Sequence, residues 1–432
     1  MNIPTNAPPF DTPNPSLFRG DCVVSCAPPT ANARMITDRS LGIHGKLHAI
    51  PTQQGIQPID KNTLVSQNLD YVARRVARFA LQEVSRSILR DMVERNGKMT
   101  YVHQVRNCLR ARITKKKGVT LFYNVEREQA NFGNLQRCYS VWNCPICSMT
   151  ITEGRRTELQ KGLANWTEEG GHAYLVTFTN SHHKGDDLDQ LLVGQKKAFV
   201  KFWQKRKVTE MLKGLGYKGR TVTTEVTWGE KNGWHPHYHM IFFFDHEIDP
   251  NGIESFLALH WQDACIKAGL KAPDLIHGVD VRNGTYAAKY VSKWGLENEV
   301  TKGHLKKGLN GSLTPFDLLR GASTNNHYKT LFKQFADVFK GKQQLVWSKG
   351  LKELLGIKKV TDEEIIEETE KTSIEVRELP LKIWDLILKY EKRAYVLDLV
   401  EQDYKNGTTL LNDFVMSLAH LYAGELIQNM QH

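Results

Sequence analysis

The sequence predicts an α+β fold in which a central antiparallel sheet is flanked by helices. Residues 172–179, 221–228 and 238–244 are rich in β-branched and aromatic residues over lengths typical of strands. The stretch between the last two segments begins with GEKNG at 229–233, a composition typical of a hairpin turn. Because helical patterns of apolar residues lie before, between and after these segments, a hairpin-based sheet with covering helices is the expected arrangement.

The other elements follow from the same patterns. Nine of the fifteen prolines lie near the start of the chain, which predicts a flexible tail over 1–65. Apolar spacing predicts an amphipathic basic helix over 68–96, further helices over 188–215, about 253–268 and TYAAKYVSKWG, and a short strand near Val279. Later in the chain, TDEE after Val360 is a capping-box pattern, and 379–399 and 409–430 are predicted to be helical.

Length and composition exclude several classes of protein. The 432 residues suggest two or three domains, and 41% apolar with 24% charged residues is a globular composition. The sequence contains no run of about eighteen apolar residues of the kind that spans a membrane. The first residues of the chain lack the basic start and apolar core of a secretory signal. We therefore expect a soluble, cytoplasmic protein that does not enter a membrane.

Charge is distributed unevenly along the chain. The net charge is +11, but residues 360–432 carry fifteen acids and seven bases, which leaves +19 on the first 359 residues. A basic body of this kind commonly binds nucleic acid, because each phosphate contact made by Lys or Arg releases counterions. A basic isoelectric point alone is a weak indication, so the motifs have to decide.

His237 and His239 lie at the start of the predicted strand 238–244. Side chains two apart on a strand point to one face, so the two imidazoles can bind one divalent ion. If the chain turns near Lys231, Glu225 of the preceding strand lies opposite His237. Two histidines and a carboxylate suit a catalytic Mg²⁺ or Mn²⁺ with open positions for a substrate. The alternatives are an incidental His-x-His pair and a solvent-facing Glu225.

Tyr286 and Tyr290 are four positions apart in the TYAAKYVSKWG helix, as are Lys289 and Lys293. Each pair therefore lies on one face of the helix. A phenol becomes an effective nucleophile when a metal ion and a lysine draw charge from the phosphodiester that it attacks. Without a metal site nearby, tyrosines at this spacing more often serve packing.

The seven cysteines indicate metal binding better than a disulfide framework, since their number is odd and their spacing uneven. Cys138, Cys144 and Cys147 are clustered in CYSVWNCPIC, where a Cys-x-x-Cys turn can present two thiolates to a structural Zn²⁺. Cys108 is the best candidate for the fourth ligand, with free thiols as the alternative. The remaining cysteines are expected to stay free: Cys22, Cys26 and Cys265.

With these residues in view, the chain from about Cys108 to Gly356 resembles the HUH-endonuclease replication initiators of bacterial rolling-circle plasmids. The similar segments, in order, are RCYSVWNCPICSMTITEGRRTEL, LVTFTN, EVTWGEKNGWHPHYHMIFF, YAAKYVSKWGLENE, SLTPFDLL and QLVWSKGL. The resemblance implies an antiparallel sheet flanked by helices, with the metal-binding His-x-His on a middle strand and the tyrosine on a nearby helix.

The same resemblance implies that His237 and His239 bind the metal and that a tyrosine of the YAAKY helix attacks DNA. In plasmid initiators with one tyrosine, a glutamate lies four residues before it and activates water for termination; this chain has Tyr286 there. In this respect it is similar to the two-tyrosine initiators of small single-stranded DNA phages, whose tyrosines alternate. Spacing does not decide which tyrosine acts first.

The expected function is therefore initiation of rolling-circle replication by metal-dependent nicking and rejoining of single-stranded DNA through a 5′-phosphotyrosine. Expected partners are single- and double-stranded origin DNA, a host helicase and a host DNA polymerase. One alternative is the same chemistry in a conjugative relaxase or a single-strand transposase. The other is an origin-binding zinc protein without catalysis, in which the histidines and tyrosines only pack.

These features predict four parts of the chain. They are a flexible Pro-rich tail (1–65), a helix with the Cys-rich zinc knuckle (66–165), the nicking and joining domain (166–358) and an acidic helical C-terminal region (359–432). Because the C-terminal region is opposite in charge to the body, we expect it to serve self-association or contact with host replication proteins. The alternative is a helical extension that packs on the body.

Overall fold

The structure, a computed structural model, describes residues 61–293, 312–371 and 373–430, without the side chains of 61–70, 293 and 424–430. Its strands are β1 (Met92–Arg95), β2 (Lys98–Tyr101), β3 (Val119–Asn124), β4 (Gln129–Gly133), β5 (His172–Thr179), β6 (Tyr217–Gly229), β7 (Gly233–Phe244), β8 (Val279–Arg282), β9 (Leu345–Trp347) and β10 (Ser373–Leu379). Its helices are α1 (Lys61–Ile88), α2 (Pro145–Glu168), α3 (Leu188–Trp203), α4 (Arg206–Gly214), α5 (Pro250–Lys267), α6 (Gly284–Lys293), α7 (Pro315–Gly321), α8 (Asn326–Phe339), α9 (Leu351–Leu354), α10 (Asp362–Glu370), α11 (Leu381–Lys389), α12 (Arg393–Asn406) and α13 (Leu410–Met430).

The central sheet of the described residues has five strands in the order β8–β5–β7–β6–β9, with every neighbouring pair antiparallel. Strands β6 and β7 form a long hairpin that ends in the pair Gly229 and Gly233, so its turn occupies 230–232. Gly233 has φ +73°, and a Cβ there would lie 2.9 Å from the Lys184 backbone. The α+β class, with an antiparallel sheet and flanking helices, is confirmed.

Helices cover both faces of the central sheet, and the alternation of β7 decides which side chains each face receives. On one face α3 and α5 pack against Met240 and Phe242. On the other face α2 and α6 pack against Ile241 and Phe243. Odd-numbered residues of β7 belong to this second face, so His237 and His239 lie on the side covered by α6.

A second sheet joins segments that are far apart in the sequence. Strand β10 pairs with β3, and β3 with β4, all antiparallel. Its buried residues Leu121, Phe132 and Leu379 share a core with α1, α11 and α12. The C-terminal region therefore packs on the Cys-rich region. This agrees with the alternative given above, an extension that packs on the body. Its association with partners and the four domain boundaries stay predictions.

The helix predicted over 68–96 is wrong at its end. Helix α1 stops at Ile88, and residues 92–101 form the β1–β2 hairpin. The apolar spacing continues past Ile88, but Asn96 and Gly97 adopt positive φ of 50° and 72°. Asn-Gly is the dipeptide that a type I′ turn favours, and this local preference outweighs the helical periodicity.

Two other predicted helices are divided in the structure. The segment 188–215 contains α3 and α4, which are separated at Gln204 and Lys205. The segment 379–399 begins at the end of β10 and then contains α11 and part of α12, with Glu391 at φ +54° between them. The remaining predicted strands and helices in the described ranges are confirmed within a few residues, including the capping box of Thr361 and Glu364.

Within the described residues, every helix is too short or too polar to cross a bilayer.

Candidate active site and cysteine cluster

Glu225, His237 and His239 meet on the face of the central sheet that α6 covers. The β6–β7 register places Glu225 directly opposite His237, as the predicted turn near Lys231 requires. Nε2 of His237 lies 3.0 Å from Nε2 of His239, and Glu225 Oε2 lies 3.5 and 3.4 Å from these two nitrogens. The three ligand atoms predicted from sequence therefore converge on one point.

This arrangement is suited to a cation. Ligands about 2.1 Å from a common metal ion lie roughly 3 to 3.5 Å from one another, close to the spacing of these three atoms. Burial acts to raise the pKa of Glu225, but the His239 and His237 imidazoles outweigh it and hold that pKa well below its usual range. The side chains of His237, His239 and Glu225 are 13%, 19% and 29% exposed, so all three are partly buried.

Two threonines orient this group, and sequence reasoning missed both. Thr177 Oγ1 lies 2.9 Å from Nδ1 of His239, which fixes the ring with Nε2 directed at Glu225. Thr223 Oγ1 donates to the His239 carbonyl oxygen at 3.0 Å. The available signal was register, because Thr177 and Thr223 are the residues paired with His239 on either side.

Tyr290 belongs to the same site. Its hydroxyl donates a hydrogen bond to Glu225 Oε1 at 2.7 Å and lies 2.8 Å from Thr223 Oγ1. Its ring centroid is 5.0 Å from that of His239. Ala287 and Val291, on either side of Tyr290 along α6, are fully buried against the sheet. Packing of α6 therefore directs the Tyr290 phenol at the histidine pair.

The other candidates on α6 lie differently. Tyr286 is 45% exposed, and its ring lies 5.2 Å from the Arg282 guanidinium at the edge of the sheet. Lys289 is exposed. Lys293 ends α6, and its side chain lies outside the described residues. Of the four predicted catalytic residues, the structure thus brings Tyr290 to the histidines and leaves Tyr286 at the rim.

A further pair of imidazoles extends the site toward the β6–β7 turn. The rings of His182 and His235 are stacked with centroids 4.5 Å apart, and His235 lies 5.1 Å from His237. Burial and the neighbouring His237 lower the pKa of His235 to about 3, which makes this ring neutral. The parity of His235 with His237 was visible in the sequence, whereas the approach of His182 was not.

The four clustered cysteines also converge. Sγ of Cys108 lies 3.6 Å from that of Cys147 and 3.8 Å from that of Cys144, and Cys138 lies 3.7 Å from Cys147. Four sulfurs about 2.3 Å from one zinc ion at tetrahedral angles are about 3.8 Å apart. The geometry therefore fits the predicted zinc site, including Cys108 as the fourth ligand.

Hydrogen bonds connect the cysteine cluster to α1 and, through α1, to α12. Cys144 precedes α2 and Cys147 lies in its first turn. The Gln82 amide of α1 donates to Cys144 Sγ at 3.4 Å and to the Cys108 carbonyl at 3.3 Å. Arg393 of α12 in turn donates to Gln82 Oε1 at 2.9 Å. A metal at this position would join the segments around Cys108 and Cys138 to the start of α2, and Gln82 and Arg393 connect this cluster to α1 and α12.

The cysteines expected to stay free have different surroundings. Cys265 lies on α5, buried in the core on the opposite face of the central sheet. Burial raises its pKa to about 12, so it is a protonated thiol at neutral pH. Cys22 and Cys26 lie outside the described residues.

Comparison with known families places the chain in a class of proteins that act in replication: it belongs to the Rep_1 family of replication proteins. The family model matches residues 131–396, more than half of the chain. This range contains the triad of Glu225, His237 and His239, together with Tyr290 and three of the four clustered cysteines.

Two individual relatives are similar to parts of the chain, and one of them is named as a replication protein. A Streptomyces lividans protein called "Protein rep" is 26% identical over 294 residues, which are 52% of this chain and 64% of the relative. A "Neomycin resistance protein" of Streptomyces cyanogenus is 33% identical over 131 residues, 25% of this chain and 30% of the relative. The chain thus spans less than two thirds of either relative. No solved structure matches it.

Proposed function

We propose that this replication protein starts rolling-circle replication by nicking and rejoining single-stranded origin DNA through a metal-dependent tyrosine transesterification. The observation that carries the proposal is the Tyr290 phenol, hydrogen-bonded to Glu225 Oε1 at 2.7 Å beside the His237–His239 pair. A nucleophile, a carboxylate and two imidazoles on one sheet face match what phosphodiester transfer requires. The His-x-His on an inner strand and the tyrosine on a neighbouring helix support the HUH-type arrangement.

His237, His239 and Glu225 Oε2 would hold the divalent ion, Mg²⁺ or Mn²⁺. When bound, such an ion polarises a phosphoryl oxygen and stabilises the charge that develops on it. Thr177 keeps the His239 ring in its ligating orientation. Two imidazoles and one carboxylate leave open positions, which the scissile phosphate would occupy.

The two carboxylate oxygens of Glu225 have different roles in this proposal. Oε2 faces the imidazoles, whereas Oε1 accepts the hydrogen bond of the Tyr290 phenol. Oε1 takes the phenol proton as the bond between the Tyr290 oxygen and phosphorus forms. The bond from phosphorus to the 3′ oxygen breaks, that oxygen takes a proton from solvent, and the 5′ phosphate stays on Tyr290. The free 3′-OH is then extended by a host polymerase, with a host helicase separating the strands.

Tyr286 would serve the second transfer. It lies one turn from Tyr290 on α6, at the exposed rim beside Arg282. After one round Tyr286 attacks the regenerated junction, and the released 3′-OH attacks the phosphotyrosine of Tyr290 and restores the phenol. Lys289 or Lys293 would stabilise the developing negative charge. Each step exchanges one phosphodiester for another, so ATP is not needed.

The cysteine cluster has a structural role in this proposal. Cys108, Cys138, Cys144 and Cys147 supply four sulfurs and leave no open position for a substrate. Bound Zn²⁺ would therefore hold the segments around Cys108 and Cys138 against the start of α2 without taking part in transfer.

Covalent attachment tests the proposal directly. Incubation with a 5′-extended single-stranded origin oligonucleotide and Mn²⁺ should give an adduct that survives denaturing electrophoresis, and Tyr290→Phe should not form it. Phe at Tyr328, whose ring packs near Trp228 away from the triad, is the matched control. A wild-type protein that binds this DNA without any adduct would instead favour the non-catalytic origin-binding protein. The sequence at the nick separates an initiator from a relaxase or a transposase.

A further inference from the structure

The β1–β2 hairpin is a two-stranded ribbon that extends from the end of α1. Met92 pairs with Tyr101 and Arg95 with Lys98, and the Asn-Gly turn closes the tip. All four residues of β1 are exposed, and in the described part of the chain the ribbon belongs to neither of the other sheets. An isolated ribbon of this length has marginal stability in water, so a bound partner would stabilise it.

The two faces of the ribbon differ in charge. Alternation places Val93, Arg95, Lys98 and Thr100 on one face, and Glu94 on the opposite one. Arg95 and Lys98 are directly opposite each other, an arrangement that destabilises a strand pair unless an anion lies between the two cations. Both are exposed, and within the described residues neither forms an ion pair.

The base of the ribbon is held by helix α8. The Asp91 carboxylate pairs with Lys333 Nζ at 2.6 Å. The next residue of α8, Gln334, accepts a hydrogen bond from Trp234 Nε1 at 2.9 Å. Trp234 is three residues before His237 on β7. One turn of α8 thus connects the ribbon to the strand that carries the histidines.

Charge continues beyond the ribbon. Between Arg90 and Lys117 the chain has nine basic and two acidic residues. The ribbon also lacks an exposed aromatic ring, the feature on which single-stranded bases usually stack, because Tyr101 is partly buried under Arg106. A two-stranded β-ribbon fits the major groove of B-form DNA, which is about 12 Å wide. Duplex DNA is therefore the partner that best matches both shape and charge.

We propose that the β1–β2 ribbon is an arm that binds duplex DNA beside the nicking site, with Arg95 and Lys98 contacting phosphates at its tip. The inference rests on the proposed function, since it supplies the double-stranded part of the origin from which a single strand is presented to Tyr290. Val93 and Thr100, on the same face, would meet base edges or thymine methyl groups in the groove.

The test is a double variant, Arg95→Ala with Lys98→Ala, in the full-length protein. Its control is Lys358→Ala with Lys359→Ala, which removes the same charge from an exposed loop. Binding of a fluorescein-labelled random duplex of about 20 base pairs, and of the same length of single strand, is followed by anisotropy from low to moderate salt. We expect the ribbon variant to bind the duplex at least about tenfold more weakly, with a salt slope smaller by about two. Single-strand binding and cleavage should match the control.

Three results would refute the proposal that the ribbon binds duplex DNA. They are an unchanged duplex Kd, an equal loss for duplex and single strand, and a change in molar mass by light scattering that shows the ribbon to join two copies. Thermal unfolding of both variants checks that the fold is kept. The outcome is separable from the nicking proposal: ribbon-dependent duplex binding without cleavage by the wild type would uphold the arm and refute the chemistry.

Discussion

Tyr290 and Glu225 share a hydrogen bond of 2.7 Å that joins helix α6 to the middle of the central sheet. The bond uses one carboxylate oxygen and leaves the other to face the two histidines. Each side chain on this face can therefore be tested by a substitution that removes one of its interactions.

The histidines are tested by removal of their imidazoles. His237→Ala or His239→Ala should reduce cleavage of single-stranded origin DNA by more than about 100-fold, because the divalent ion loses a ligand. DNA affinity should change little, since phosphate contacts of the basic body supply most of it. Cleavage at the wild-type rate by the double variant would exclude a metal role for this pair.

Thr177 offers a milder change. Thr177→Val keeps the volume but removes the hydroxyl beside His239 Nδ1, so the Mn²⁺ concentration needed for half-maximal cleavage should rise about 10- to 100-fold. Thr179→Val is the control, because Thr179 lies on the same strand but donates to the His277 carbonyl. Saturating Mn²⁺ should restore most of the Thr177→Val activity. Equal effects of the two variants would show that Thr177 acts through folding alone.

The two tyrosines are distinguished by peptide mapping of the covalent adduct. Tyr290→Phe should abolish the first cleavage, because Tyr290 is the phenol held against Glu225. Tyr286→Phe should keep that cleavage and impair the coupled joining step, and the double variant should form no adduct. If adducts of the wild type map to Tyr286 alone, the order of the two tyrosines is reversed. If joining is normal in Tyr286→Phe, the alternating mechanism is wrong.

The cysteine cluster predicts about one tightly bound zinc per chain. Cys144→Ala should lose the metal and lower the unfolding temperature, because zinc affinity in such sites is folding free energy. Cys265→Ala removes an equally buried thiol outside the cluster and should keep the zinc. A chelator should destabilise the wild type and leave Cys144→Ala unaffected. Carefully purified protein without zinc would refute the site.

The C-terminal region is tested at Leu379, a fully buried residue of β10 that pairs with Val119. Leu379→Ala should lower the free energy of unfolding in urea by about 2–5 kcal/mol, the range for leucine truncation in a core. Leu381→Ala, at a 39% exposed position two residues later, should cost much less. Truncation after Gly356 should accordingly destabilise the Cys-rich region. A truncated protein that keeps zinc and cleaves origin DNA would show that the region is dispensable for the fold.

Local patterns foretold the parts of the fold that depend on neighbouring residues. A three-residue turn sets the register of a hairpin, so the position of Lys231 was enough to bring Glu225 opposite His237. Spacing within CPIC likewise positioned one thiol just before α2 and one in its first turn. In both places the groups that meet are close in the chain or joined by one turn.

Relations between distant segments were not visible in the sequence. Spacing of four put Tyr286 and Tyr290 on one helical face, but α6 begins only two residues before Tyr286. Tyr286 therefore lies in the first turn, beside Arg282 at the sheet edge, whereas Tyr290 lies over the strands. The pairing of β10 with β3 was equally hidden, because strand partners far apart in sequence leave no periodic signal.

That long-range pairing has a consequence for how the protein is made. Gly118 donates a hydrogen bond to Glu378, 260 positions later, at the end of the β3–β10 ladder. During synthesis β3 leaves the ribosome long before β10 has been translated. The apolar surface around Leu121 therefore stays exposed to solvent during that interval. A polypeptide that stops early keeps this surface open to proteases. Only a chain translated past Leu379 can close the sheet.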